Sequence, residues 1–174
     1  MLPTADYLHE CFDYNAETGV LIWRKRPEYH FKRNKDMRMF HSLFSGKEAG
    51  SKNMSGGLVL HMDRKMYWVH RVIYKMMTGK EPDHHIDHVN LDRCDNRWVN
   101  LRPATRSQNG GNRPMNRTNP HGLKGVSFWQ GKFKAQIGVK GKKIHLGSFD
   151  TKEQAHEAYC KAAKEYFKLY SRAA

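Results

Sequence analysis

The chain has 174 residues, of which 39% are hydrophobic, and a formal net charge of +14. That length allows one domain or two small ones around a modest core. The charge, rising from 9 basic against 7 acidic residues in 1–60 to 11 against 4 in 121–174, calls for a polyanionic partner, because each Lys or Arg set on a phosphate releases condensed counterions. No apolar run approaches the ~20 residues of a spanning helix, and the first residues lack the basic-then-apolar order of a signal peptide. Cys11, Cys94 and Cys160 are odd in number with no C-x-x-C, which argues against a disulfide framework and a Cys-rich zinc knuckle. A cytoplasmic protein with reduced thiols and no membrane partner is expected.

Thr4 reads as the N-cap of a short helix over 4–12, in which Leu8, Cys11 and Phe12 recur at helical spacing, and TGVLIWR (18–24) reads as a strand. Residues 24–38, with seven basic and two acidic side chains, read as a solvated loop rather than a DNA-contacting arm. GLVLHMDRKMYWVH (57–70) alternates about MDRK as a hairpin that runs into a helix. In that helix Val69, Val72, Ile73, Met76 and Met77 form one apolar stripe with both Met as core filler, and Gly79 and Pro82 stop it.

Next comes DHHIDHVNLDRCDNRWVNL (83–101), with three His and four Asp. Taken alone it fits a solvated loop. LRPAT reads as a strand after it, and TRSQNGGN as a short helix capped by Thr105. NRPMNRTNPHG (112–122) has two Pro and three Asn and reads as a linker. Beyond it, GKFKAQIGV (131–139) sets Phe133, Ala135, Ile137 and Val139 on one face, and KKIHLG (142–147) repeats the alternation across a Gly turn, so the two make a hairpin. TKEQAHEAYCKAAKEYFKLY (151–170) opens on the capping box Thr151…Gln154. It carries a seam of Ala155, Ala158, Tyr159, Ala162, Ala163, Tyr166 and Tyr170 that lets a helix lie close on a sheet.

Phosphodiester chemistry needs a divalent metal with hard oxygen ligands and a base for water. Asp87, His88 and Asn109 are of the right types. The ordered set VHRVIY (69–74), IDHVNLDRCDNRWVNLR (86–102) and ATRSQNGGN (104–112) resembles the phage HNH endonucleases of the ββα-metal type, over residues 47–112. The resemblance implies His88 as general base, Asp87 and Asn109 as ligands of Mg²⁺ (or another divalent cation such as Mn²⁺), and Asn100 as the residue bracing the hairpin and orienting His88. The chain departs from the family name in having Asn109 where a His is anticipated. It also implies a strand bend at Asp87–His88, since neighbours in a regular strand point to opposite faces. His84, His85 and His88 read as loop residues rather than a zinc cluster, and no zinc is expected. His70 and Arg71 read equally as packing or hairpin-bracing residues and as DNA contacts, Asp92, Asp95 and Asn96 as turn residues, and Arg97, Arg102 and Arg106 as phosphate contacts near the metal or as ordinary surface charges.

GLKGVSFW, GKFKAQI and KIHLGSFDTKEQAHEAYCKAA resemble the plant Apetala-two/ethylene-response-factor DNA-binding domain. That implies a three-stranded sheet set in the major groove, gripping DNA through Lys124, Lys134, Gln136, Lys143 and His145. Ser127 stands where that family usually has a base-contacting Arg, and His145 where it has a Trp, so its site preference does not transfer.

The expectation is therefore an α+β chain: an extension over 1–46, a ββα-metal HNH nuclease module over 47–112, a linker over 113–121, and over 122–174 a three-stranded antiparallel sheet packed on one helix. Its expected work is metal-dependent nicking or cutting of double-stranded DNA, of phage homing or free-standing type. The rival is a catalytically inactive DNA-binding or regulatory protein on the same scaffold. No heptad pattern marks a partner helix, and a homodimer is left open.

Overall fold

The structure, a computed structural model, describes residues 1–113, 115 and 119–172. It is a mixed α/β chain with four small antiparallel sheets among the described residues, divided into two compact units, Met1–Pro103 and Ala104–Ala174.

In the first unit α1 (Ala5–Cys11) is capped by the Thr4 side chain, which accepts from the Tyr7 amide. It leads directly into β1 (Phe12–Tyr14), which pairs with β2 (Leu21–Trp23). Then come α2 (Asn34–Phe44), a three-stranded sheet of β3 (Ser51–Lys52), β4 (Leu58–Met62) and β5 (Lys65–Trp68), and α3 (Val69–Thr78), ended by Gly79 at φ 71°. β6 (His85–His88) pairs with β7 (Leu101–Ala104). One core, in which Leu8, Phe12, Trp23, Leu60, Val72, Ile73 and Ile86 are buried, joins α1, the β1–β2 hairpin, β4, α3 and β6.

Two expectations change here. Residues 24–38 are not simply a solvated loop: Arg26 is buried, and α2 begins at Asn34. Arg26 stays charged because Asp63 accepts from its Nη2 at 2.9 Å, Tyr7 Oη lies against the same nitrogen, and Phe31 and Phe40 cover the guanidinium. In α3 Met76 is core, but Met77 lies on the exposed side at 43%, because one position further round the helix leaves the apolar stripe.

In the second unit α4 (Arg106–Asn112) opens on a capping box of Thr105 and Gln108. β8 (Val126–Trp129), β9 (Lys132–Val139) and β10 (Lys142–Phe149) form a sheet of order β10-β9-β8, covered by α5 (Lys152–Phe167). Ala155, Ala162 and Ala163 are buried there, but Phe167 fills the place expected of Tyr166, which is exposed. Gly111 meets that helix so closely that a Cβ would lie 2.7 Å from the Phe167 ring. Residues 47–112, read from the sequence as one module, are thus shared between the units, and the linker expected at 113–121 lies partly outside the described residues.

The β1–β2 turn supports the loop between β6 and β7. Tyr14 Oη donates to the Asn96 carbonyl at 2.7 Å, the Trp98 amide donates to Ala16, and Gly19, at φ 76°, lies where a Cβ would be 2.4 Å from the Arg97 nitrogen. Gly19→Ala combines a positive φ with a main-chain clash, so we expect a stability loss of about 1–3 kcal/mol, read as a lower urea midpoint at unchanged m-value.

Candidate active site

β6 places Asp87 and His88 in succession, each 5% exposed. Arg102, on β7, donates Nε and Nη2 to Asp87 Oδ2 at 2.9 and 2.8 Å. This pairing offsets the cost of holding a carboxylate out of water. His88 Nε2 lies 3.2 Å from Oδ1 of Asn96, which is 1% exposed. An amide oxygen only accepts, so Nε2 carries the proton and the neutral ring has its lone pair at Nδ1. The His70 ring stands edge-on to His88 at 5.2 Å and stacks on Trp68.

The connecting loop is built from Asx turns. Asn90, Asp92 and Asp95 each accept from the amide two residues on. The hydrogen bond from the Arg97 side chain, with others from the Arg97 amide and Asn90, draws the Asp95 pKa down to about 2. Asn100 closes the loop: its Oδ1 accepts from the Asn90 amide, and its Nδ2 donates to Asn90 Oδ1 and to the Asp95 carbonyl. Asn100 therefore shapes the loop, and Asn96 hydrogen-bonds His88. The sequence held no signal for that, because Asn in a polar loop has turn chemistry as its default use.

Burial lowers the His88 pKa below 6.5, partly opposed by the Asn96 hydrogen bond and by Asp87, so the imidazole is neutral near pH 7. Burial also pushes His70 down to about 3, with the charges of His88 and Arg71 adding to it. Among the described residues no group of three or more His, Cys, Asp or Glu is placed to hold a metal. Mg²⁺ does not require one, since it is commonly held by one or two protein oxygens with water and phosphate completing the shell. The buried Asp87 carboxylate and the Asn109 amide suit it as hard oxygen donors. Asn109, half-buried in α4, and Arg106, exposed at its first turn, belong to the second unit.

The expected DNA contacts divide. On the sheet face opposite α5, Gln136 lies across from His145, Gly138 from Lys143, and Lys134 from Ser127 and Ser148. Gln136, Lys143 and His145 are exposed, and Lys134 Nζ sits 5.5 Å from the centre of the exposed Trp129 ring. Lys124 serves otherwise, since its ammonium donates to the carbonyls of Gly111, Arg113 and Arg172 and so closes the end of α4. Arg102 is held by Asp87.

The strand β6 thus brings a neutral, buried imidazole and a buried carboxylate side by side. Residues 67–110 match the family model described as HNH endonuclease. Over 101 residues the chain is 33% identical to a protein of Acanthamoeba polyphaga mimivirus described as an uncharacterized HNH endonuclease, covering 57% of this chain and 52% of that protein. The chain thus spans about half of that relative's length. No solved structure gives a significant match. These similarities support a nuclease, while the likeness of 122–174 to the plant domain finds no support among them.

His70 supplies a pH test. Between pH 3 and 6.5 an unfolded imidazole takes a proton that buried His70 refuses, so its contribution is complete above 6.5 and is lost as the pH falls toward 3. His70→Phe keeps a ring but removes that proton. Within this window wild type should lose about 1.4 kcal/mol more per pH unit than the variant in urea titrations, and equal slopes would refute it.

Proposed function

We propose that the protein is a metal-dependent endonuclease that hydrolyses phosphodiester bonds of double-stranded DNA. The observation that carries this is the pair in β6: His88 with Nε2–H held by Asn96, next to Asp87 balanced by Arg102. The match to the HNH endonuclease model over the same stretch supports it.

In this reading His88 Nδ1 takes a proton from water as the water oxygen attacks phosphorus, and the P–O bond to the leaving sugar oxygen breaks, that oxygen taking a proton from solvent water. Asp87 carries negative charge beside the imidazolium that forms, and Asn96 keeps the ring oriented through the transfer. A divalent cation held by Asp87 and Asn109, of which Mg²⁺ suits the donors, would supply charge stabilisation on the phosphate oxygens. Asn100 acts through the loop, and Arg102 holds the Asp87 carboxylate in place. The sheet face of Lys134, Gln136, Lys143 and His145 grips DNA for the nuclease module, with the organisation into 1–46, 47–112, linker and 122–174 as read from the sequence. The work is that of a homing-type or free-standing enzyme.

The test is supercoiled plasmid with Mg²⁺, with and without EDTA. His88→Ala should abolish nicking and leave DNA affinity near wild type, since a neutral side chain adds little to a +14 chain. Asp87→Ala should cost more than Asn109→Ala in a Mg²⁺ titration, because it removes a charge as well as a ligand. Wild-type rates in His88→Ala would reject the base. Lys134→Ala and Lys143→Ala should each flatten the dependence of log K on log salt by about 0.9, measured by mobility shift, and unchanged slopes would remove the sheet from the DNA interface.

A further inference from the structure

The β4–β5 connection has two residues, Asp63 and Arg64, at φ 51° and 63°. A two-residue hairpin turn with both φ positive is the place for Asn-Gly or Gly-Gly, and an Arg there is strained. The turn is nevertheless held firmly. Buried Arg26 donates to Asp63 Oδ1 at 2.9 Å, and Tyr7 Oη donates to Asp63 Oδ2 at 2.6 Å.

Beside the turn lies a cleft of about 790 Å³ whose walls include Lys32, Arg33, Asp36, Asp63 and Arg64. Both carboxylates are already engaged, Asp63 as above and Asp36 by Arg33 Nε and Nη2 at 2.8 and 2.9 Å. The Arg33 hydrogen bond chiefly, with Lys35 and Arg64 contributing, holds Asp36 below the usual carboxylate range, so Arg64 and the α2 end of the cleft share one field. Exposed Lys32 and Arg64 make no hydrogen bond or salt bridge with the described residues. With Arg33, three cations line the cleft against two carboxylates.

We propose that this cleft in the first unit is a backbone-phosphate site for the DNA substrate, with Lys32 and Arg64 as its contacts and the Arg26–Asp63–Tyr7 network as the brace that holds the strained turn. The proposal rests on the nuclease reading for the identity of its anion. It gives 24–38 a role that its composition alone left as solvation. A turn kept strained at an arginine, with a buried arginine committed to its neighbour, is explained if the Arg64 side chain is used.

The test is Arg64→Gly in the full chain, since glycine fits a positive φ and Asp63 keeps its brace. The melting temperature should hold or rise while affinity for a labelled DNA duplex in EDTA falls, with the log K against log salt slope flattened by about 0.9. Lys32→Ala, which touches no special backbone, should flatten the slope equally, and Lys80→Ala, exposed beyond α3, should leave it unchanged. Wild-type affinity and slope in both cleft variants, or an equal effect of Lys80→Ala, would overturn the cleft. A wild-type protein that neither binds nor nicks DNA would instead overturn the nuclease reading.

Discussion

The candidate active site depends on keeping a histidine and a carboxylate out of water at consecutive positions of a four-residue strand. Each is costly to bury and each has its own answer, Asn96 and His70 around His88, Arg102 against Asp87. The Asn96 contact also selects a tautomer, so a packing requirement and a chemical one are met by a single amide. A strand that simply alternated apolar and polar could not do this. Both faces of β6 are closed here, and the polar side chains sit inside.

That arrangement sets the purpose of the first hundred residues. The loop between β6 and β7 leaves Val89 and Val99 exposed and buries Asn96 and Asn100 instead. It is shaped within by Asx turns and by Asn100, and from outside by Tyr14, Ala16 and Gly19 of the first hairpin. The N-terminal segment is therefore a support for the site as well as a preceding piece of chain. The same economy appears at Arg26, where a buried charge serves to hold a hairpin turn.

The second unit meets a different constraint. Its helix lies flat on a three-stranded sheet because alanines line the contact, and the far face of the sheet is left to basic and amide side chains. Lys124 shows how composition misleads there: a lysine in a basic region is equally suited to a phosphate and to the open carbonyls of a helix end, and only the position of α4 beside it decides.

Local pattern determined most of the elements. The capping boxes at Thr105 and Thr151, the stripe in α3, the alternation of 132–139 and the Gly turn at 141 act over a few residues, where backbone geometry and burial leave little choice. Asp87, His88 and Asn109 were singled out by their chemical type and by the resemblance of their ordered surroundings to the HNH endonucleases. Tertiary structure alone decided that Asn96 hydrogen-bonds His88, that Asp87 is balanced by Arg102, that Arg26 is buried, and that Phe167 rather than Tyr166 completes the seam of α5. Those outcomes turn on which of several equivalent polar or aromatic side chains comes within hydrogen-bonding or packing distance of a distant partner. That distance is set by the packing of whole elements, and no spacing along the chain encodes it.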